Sequence, residues 1–143
     1  MEELWQLRAL IEQGQYAEAL LVIGELEAMS KDDKINKIES FLVILLLHLI
    51  KKHAESRMTR SWNNSILNAA AMITWTNKRR KAGGYYLTAE ELREALEEAW
   101  EVALRQAAAE AFEGQYGEQE LAQKVDRQQI LHEALQYLLQ NRN

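Results

Sequence analysis

The chain has no cysteine and no proline in 143 residues, and only six glycines. The missing cysteine excludes disulfides, thiolate zinc sites and thiol chemistry. It also fits a reducing compartment. Little breaks the backbone, and Ala, Leu, Glu, Gln and Lys, all strong helix formers, dominate. No stretch alternates apolar and polar β-branched residues with period 2, so the chain reads as all-α. The first residues, Met1-Glu2-Glu3-Leu4-Trp5, carry acids where a signal peptide needs bases. A cytoplasmic protein is the expectation. The apolar run Phe41 to Ile50 holds ten residues. As a helix it extends about 15 Å, about half the thickness that a spanning helix must cross. It reads as a core helix, and no membrane contact is expected.

A chain of this length suits one domain, here residues 1–143, which buries roughly 68–70% of its unfolded surface. We expect a single compact bundle of about five to six helices. The first covers about Glu2 to Gln13, with Leu4, Leu7, Ala9, Leu10 and Ile11 on an apolar face, and Gly14 as a left-handed C-cap. The second covers about Ala17 to Met29, with Leu20, Leu21, Ile23 and Leu26 toward the core. Ser30-Lys31-Asp32-Asp33 resembles an N-cap with an acid three residues on. It should open a third helix, about 31–54, apolar nearly all round from Phe41 and therefore central.

The fourth helix is expected from about Ser61 to Arg80, with Trp62, Ile66, Leu67, Ala70 and Ile73 or Thr74 inward. Gly83-Gly84 follows as a flexible loop. Thr88 and Glu91 form a capping-box pattern for a fifth helix reaching about Glu113. On it Ala95, Ala99, Ala103, Ala107 and Ala111 make a small-residue ridge that admits a close neighbour. The last helix, about Asp126 to Gln140, carries Ile130, Leu131, Ala134, Leu135, Leu138 and Leu139. The segment 118–143 could be peripheral or serve self-association. No internal repeat is visible.

Charge is the strong asymmetry. Lys51 to Lys81 holds eight bases (Lys51, Lys52, Arg57, Arg60, Lys78, Arg79, Arg80 and Lys81) against one acid, Glu55, a local charge of +7. The remaining nine bases and 21 acids give −12. Those eight bases, with Trp62 and Trp75 nearby, could bind an anion or nucleic acid. Alternatively they complement the negative ends of two helices, or face Glu90, Glu91, Glu94, Glu97, Glu98 and Glu101 of the fifth helix. The structural alternative is favoured, and the overall acidity opposes general affinity for nucleic acid.

Chemistry has few footholds. His48 lies within the apolar run, where a histidine is more often a satisfied core residue than a catalyst. His53 is five residues on, so the two imidazoles are turned about 500° apart and make no metal pair. No Glu-x-x-His pair exists for a di-iron site. No phosphate-cradling loop, serine elbow or kinase signature occurs. Glu27 and Lys31 form a favourable i, i+4 pair, and Glu25 is either exposed or a buried acid of raised pKa. We expect no catalytic residue, cofactor or metal.

The stretch from Glu25 to Trp62 resembles the all-helical family called domain of unknown function 29, common in cyanobacteria. The shared pattern is an acidic pair before a Met, a Lys-led helix, a Leu-rich run closing in His-Leu-Leu-Lys, and Arg-Ser-Trp. Here these are Glu25, Glu27, Met29, Lys31, His48-Leu49-Ile50-Lys51 and Arg60-Ser61-Trp62. Trp5 and Ala99-Trp100 extend the resemblance to about 100 residues. Ser30 replaces a frequent Gly, and Lys52-His53-Ala54 replaces aromatics and a Pro. The tail beyond Gly117 looks particular to this chain. The resemblance implies a helical fold and supplies no activity. It marks Glu25, Glu27, His48, Lys51, Arg60 and Trp62 as a motif cluster, a third alternative in which they form a catalytic or small-ligand site. The reading we favour is a small interaction or assembly module without catalysis, whose partner is a protein or a second copy.

Overall fold

The computed structural model describes residues 2–79 and 81–140. It is all-α. Helices run in the order α1 (Glu2–Glu12), α2 (Tyr16–Glu55), α3 (Arg60–Asn77), α4 (Ala89–Glu110), α5 (Glu118–Ala122) and α6 (Arg127–Gln140). A single 3-10 turn, Ala111–Gly114, follows α4. No strand occurs among the described residues, and one isolated antiparallel bridge joins Lys78 to Tyr85. None of the helices, within those residues, is long and apolar enough to cross a membrane.

The chain divides into two compact units, Met1–Lys34 and Ile35–Asn143, and the division falls inside α2. In the first, α1 stops where the sequence predicts. Gly14 has φ +74°, and Gln15 N–H donates to Leu10 O at 2.9 Å. This is the six-to-one bond of a helix ending in a left-handed residue. The expected break at Ser30 is absent, because α2 is one helix of 40 residues. A capping hydroxyl stabilises a helix start only where the chain already leaves helical geometry. Neither Gly nor Pro lies between Met29 and Asp33 to force that departure.

The expected inward faces of this unit also need correction. No residue of α1 is buried. In this unit's part of α2 the buried positions are Ala19 and Val22, whereas Leu20 and Leu21 are exposed. Periodicity had grouped the apolar residues correctly on a helix. It carried no information on whether a neighbour covers them.

The second unit holds the core. Ile38, Leu42, Leu45, Leu46, Leu49 and Ile50 of α2 are completely buried, so this part of α2 is the surrounded helix that the sequence predicts. Each such side chain contributes about 1.5–3 kcal/mol of transfer free energy. From α3 come Ile66, Ala69, Ala70 and Ile73, while Leu67 is half exposed, against expectation. The alanine ridge is buried at Ala99, Ala103 and Ala107 of α4 and at Ala111 just past its end. α4 is in contact with α6, whose own Ala134 is buried in the same core. Ile130, Leu131 and Leu138 build α6 into this core rather than leaving it peripheral.

Helix ends in this unit follow their local signals. Thr88 and Glu91 form the complete capping box. Asp126 accepts from Gln129 N–H at 3.2 Å to start α6. Short α5 gave no periodic signal, yet its Leu121 is fully buried. Between α3 and α4, Asn77 is almost wholly buried. Its amide donates to Leu87 O at 3.0 Å and accepts from Leu87 N–H at 2.8 Å. Tyr86 N–H donates to Asn77 O at 2.9 Å. One side chain thus closes the connecting loop at its base.

Candidate functional site

Two of the motif residues, Lys51 and Trp62, meet at the junction of α2 and α3. α2 ends at Glu55, and Ser56 takes a left-handed φ of 52°. Arg57 N–H then reaches back to Lys52 O at 3.3 Å. Thr59 caps α3, its hydroxyl accepting from Trp62 N–H at 3.0 Å. This cap sets Trp62 against two cations: the Lys51 ammonium lies 4.7 Å from the ring centroid and the Arg57 guanidinium 4.6 Å. Lys51 is buried and donates to Glu110 of α4 at 3.0 Å. A buried ammonium needs such a carboxylate partner. Lys51 and Trp62 therefore fasten the ends of three helices.

Glu55 extends the fastening. It accepts from Arg57 Nε at 3.0 Å and from Phe112 N–H at 3.3 Å, just past α4. On the opposite side, Glu133 of α6 accepts from Lys52 Nζ at 2.7 Å and from His53 Nε2 at 2.6 Å. Burial pushes the Glu133 carboxyl up. The hydrogen bonds and charges of Lys52 and His53 outweigh this and hold it below the usual carboxylate range. A cavity of about 400 Å³ borders the cluster, lined by Lys52, His53, Ser56, Arg57 and Met58.

Other motif residues lie apart from this contact set. His48 is half-buried, and its Nδ1 bonds Ile44 O of its own helix at 2.8 Å. Arg60 is exposed at the first position of α3. Glu25 and Glu27 belong to the N-terminal unit and are exposed. Glu27 forms no ion pair with Lys31 among the described residues. His53 and Glu133 were not anticipated, because they are 80 residues apart and neither stands in a recognisable spacing.

The seven described bases of the segment are not one surface. Lys51, Lys52 and Arg57 are engaged with Glu110, Glu133 and Glu55. Lys78, Arg79 and Lys81 are exposed at the far end of α3. That is about 27 Å of helix from Arg60. Arg80 lies outside the described residues. Of the acids of α4, Glu110 at its C-terminal end meets this segment, at Lys51, whereas three of those expected to face it have partners elsewhere. Glu90 and Glu97 pair with Arg93, and Glu101 lies 3.9 Å from Arg127. The Arg93 guanidinium holds the Glu90 carboxyl below its usual range. Among the described residues no group of three or more His, Asp or Glu could hold a metal.

A second candidate surface is apolar. In the N-terminal unit Leu4, Trp5, Ile11, Tyr16, Leu20, Leu21 and Met29 are each 44–72% exposed. These are seven of the twelve large exposed hydrophobics among the described residues. They occupy less than a quarter of the sequence.

Fold and site together define an all-helical protein in which a Lys–Trp motif locks helix ends and an apolar two-helix unit lies open. The chain belongs to the family described as Domain of unknown function DUF29, whose model matches residues 6–136. The match runs well past Gly117, so most of the tail is family sequence and not particular to this chain. No curated protein and no solved structure matches.

Proposed function

We propose that this protein is a protein-interaction module without catalytic activity, and that its docking element is the N-terminal unit. The observation that carries the reading is the exposure of seven large apolar side chains between Leu4 and Met29. A segment of that length sits below the roughly 40 residues at which a core begins to suffice by itself. Concentrated apolar exposure marks association surfaces in folded proteins. The motif cluster supports the same reading by what it is occupied with. Lys51, Lys52, His53 and Arg57 are each engaged with a carboxylate. That pairing also weighs against nucleic acid as the partner. We assign the module to the cytoplasm on its complete lack of cysteine.

The test is affinity capture from host lysate with the intact chain and with a Leu20→Gln/Leu21→Gln variant. Both leucines are exposed, so helicity and melting should stay unchanged. Loss of a specific protein partner in the variant is the expected result. An identical capture profile, or one abolished by nuclease, would sink the reading.

A further inference from the structure

We infer that the open face of α2 in the N-terminal unit receives a basic amphipathic helix from a partner protein. This rests on the docking role proposed for that unit. At 100° per residue, Ala17, Leu20, Leu21, Gly24 and Ala28 fall in one stripe about 100° wide. All five are exposed. The buried Ala19 and Val22 point the opposite way around the helix. Leu20 and Leu21 sit toward the two edges of the stripe, and Gly24 lies near its midline. A Cβ placed on Gly24 would meet nothing within 4 Å. The stripe is therefore a shallow apolar track with large flanks and a low centre, the shape that seats the apolar ridge of another helix.

Charge selects the occupant. Glu18 and Glu25 border one edge of the stripe and Glu27 the other, by the same angular arithmetic. None of the three has an ion-pair partner among the described residues. No base occurs between Arg8 and Lys31. The unit as a whole carries Arg8, Lys31 and Lys34 against eight acids, a net −5. The remainder, with fourteen bases and fourteen acids, is neutral. The entire net charge of the protein thus lies on the unit that holds seven of the twelve large exposed hydrophobics among the described residues. A second copy would bring the same three carboxylates into the seam, and like charges across an interface oppose association. A helix with an apolar stripe flanked by Lys or Arg meets both the track and its rims.

The experiment titrates the full-length protein into a fluorescein-labelled synthetic peptide of about 18 residues, five helical turns. It is built of Leu and Lys with Leu on one face. Two controls are the same composition scrambled to remove the face, and the same face with Glu replacing Lys. The faced basic peptide should bind best. Leu20→Gln/Leu21→Gln should weaken it about tenfold or more. A Glu18→Gln/Glu25→Gln/Glu27→Gln variant should bind weakly and lose most of the salt dependence. Equal binding of the scrambled peptide, or binding untouched by the leucine substitutions, overturns the inference. Tighter binding of the acidic peptide, or a dimer in sedimentation that the leucine substitutions dissolve, overturns the partner chemistry but leaves the docking role standing. No binding by any faced peptide and a monomer at high concentration overturn both.

Discussion

Leucines of the same helix meet opposite fates in the two units. Leu45 and Leu46 are completely buried, whereas Leu20 and Leu21 are 67% and 70% exposed. All four lie on α2, with no break between them. Local propensity is therefore not what separates the regions. The C-terminal unit surrounds its part of α2 with α3, α4 and α6, and binds it through Lys51–Glu110 and Lys52–Glu133. The N-terminal unit supplies no comparable cover. An apolar stripe in a helix specifies a demand for burial, and tertiary structure decides where that demand is met.

The sharpest way to break this contrast is to truncate one leucine from each side. Leu45→Ala should cost about 2–5 kcal/mol in urea unfolding, from lost transfer energy and the cavity left behind. Leu21→Ala should change stability by about 0.5 kcal/mol or less. Comparable losses in both would mean that the N-terminal unit has cover of its own, and the docking proposal would fall with the contrast.

A smaller effect is expected from Glu133→Gln, about 1–2 kcal/mol, because charge-assisted bonds from Lys52 and His53 are replaced by weaker ones. The sign with pH follows from linkage. The folded-state pKa of Glu133 lies below its ordinary value of 4.5. Its stabilisation is thus complete above that value and fades as pH falls through the lowered pKa. The gap between wild type and Glu133→Gln should therefore narrow in acid. A gap constant from pH 7 down to about pH 3 would remove the carboxylate from the account.

The smallest effect concerns the division itself. Ser30 lies inside a continuous helix, so Ser30→Ala should stabilise by about 0.5 kcal/mol or less through propensity alone. Were Ser30 an N-cap, the same change would destabilise by about 1 kcal/mol. Thermal melting of the two proteins decides by its sign.

What the sequence made legible follows from these energetics. The starts of α4 and α6 were readable because Thr88, Glu91 and Asp126 act within a single turn. The end of α1 was readable because Gly14 takes a backbone conformation that few other residues accept. The burial of α2 beyond Ile35 was readable because a helix apolar on every side must be surrounded. Three features were not. Ser30 carried the letters of a cap without the break that gives them meaning. Leu20 and Leu21 had a face whose cover is a long-range matter. Glu133 gained its role from side chains on α2 that no local spacing announces. Of the motif cluster, Lys51 and Trp62 converge, and the reason is mechanical fastening as far as their contacts go.

Asn77 has a practical corollary. By gripping both backbone groups of Leu87, it isolates the strand-like loop between them from the helices on either side. Within that loop Gly83 and Gly84 are exposed, and an added side-chain atom would meet nothing within 4 Å at either. Lengthening a loop already closed at its base costs only about 0.6 kcal/mol per doubling. The Gly83–Gly84 junction is therefore a natural splice point for an epitope or fluorescent label. A reporter installed there would leave the chain's N-terminus bare, which a terminal fusion beside Trp5 would not.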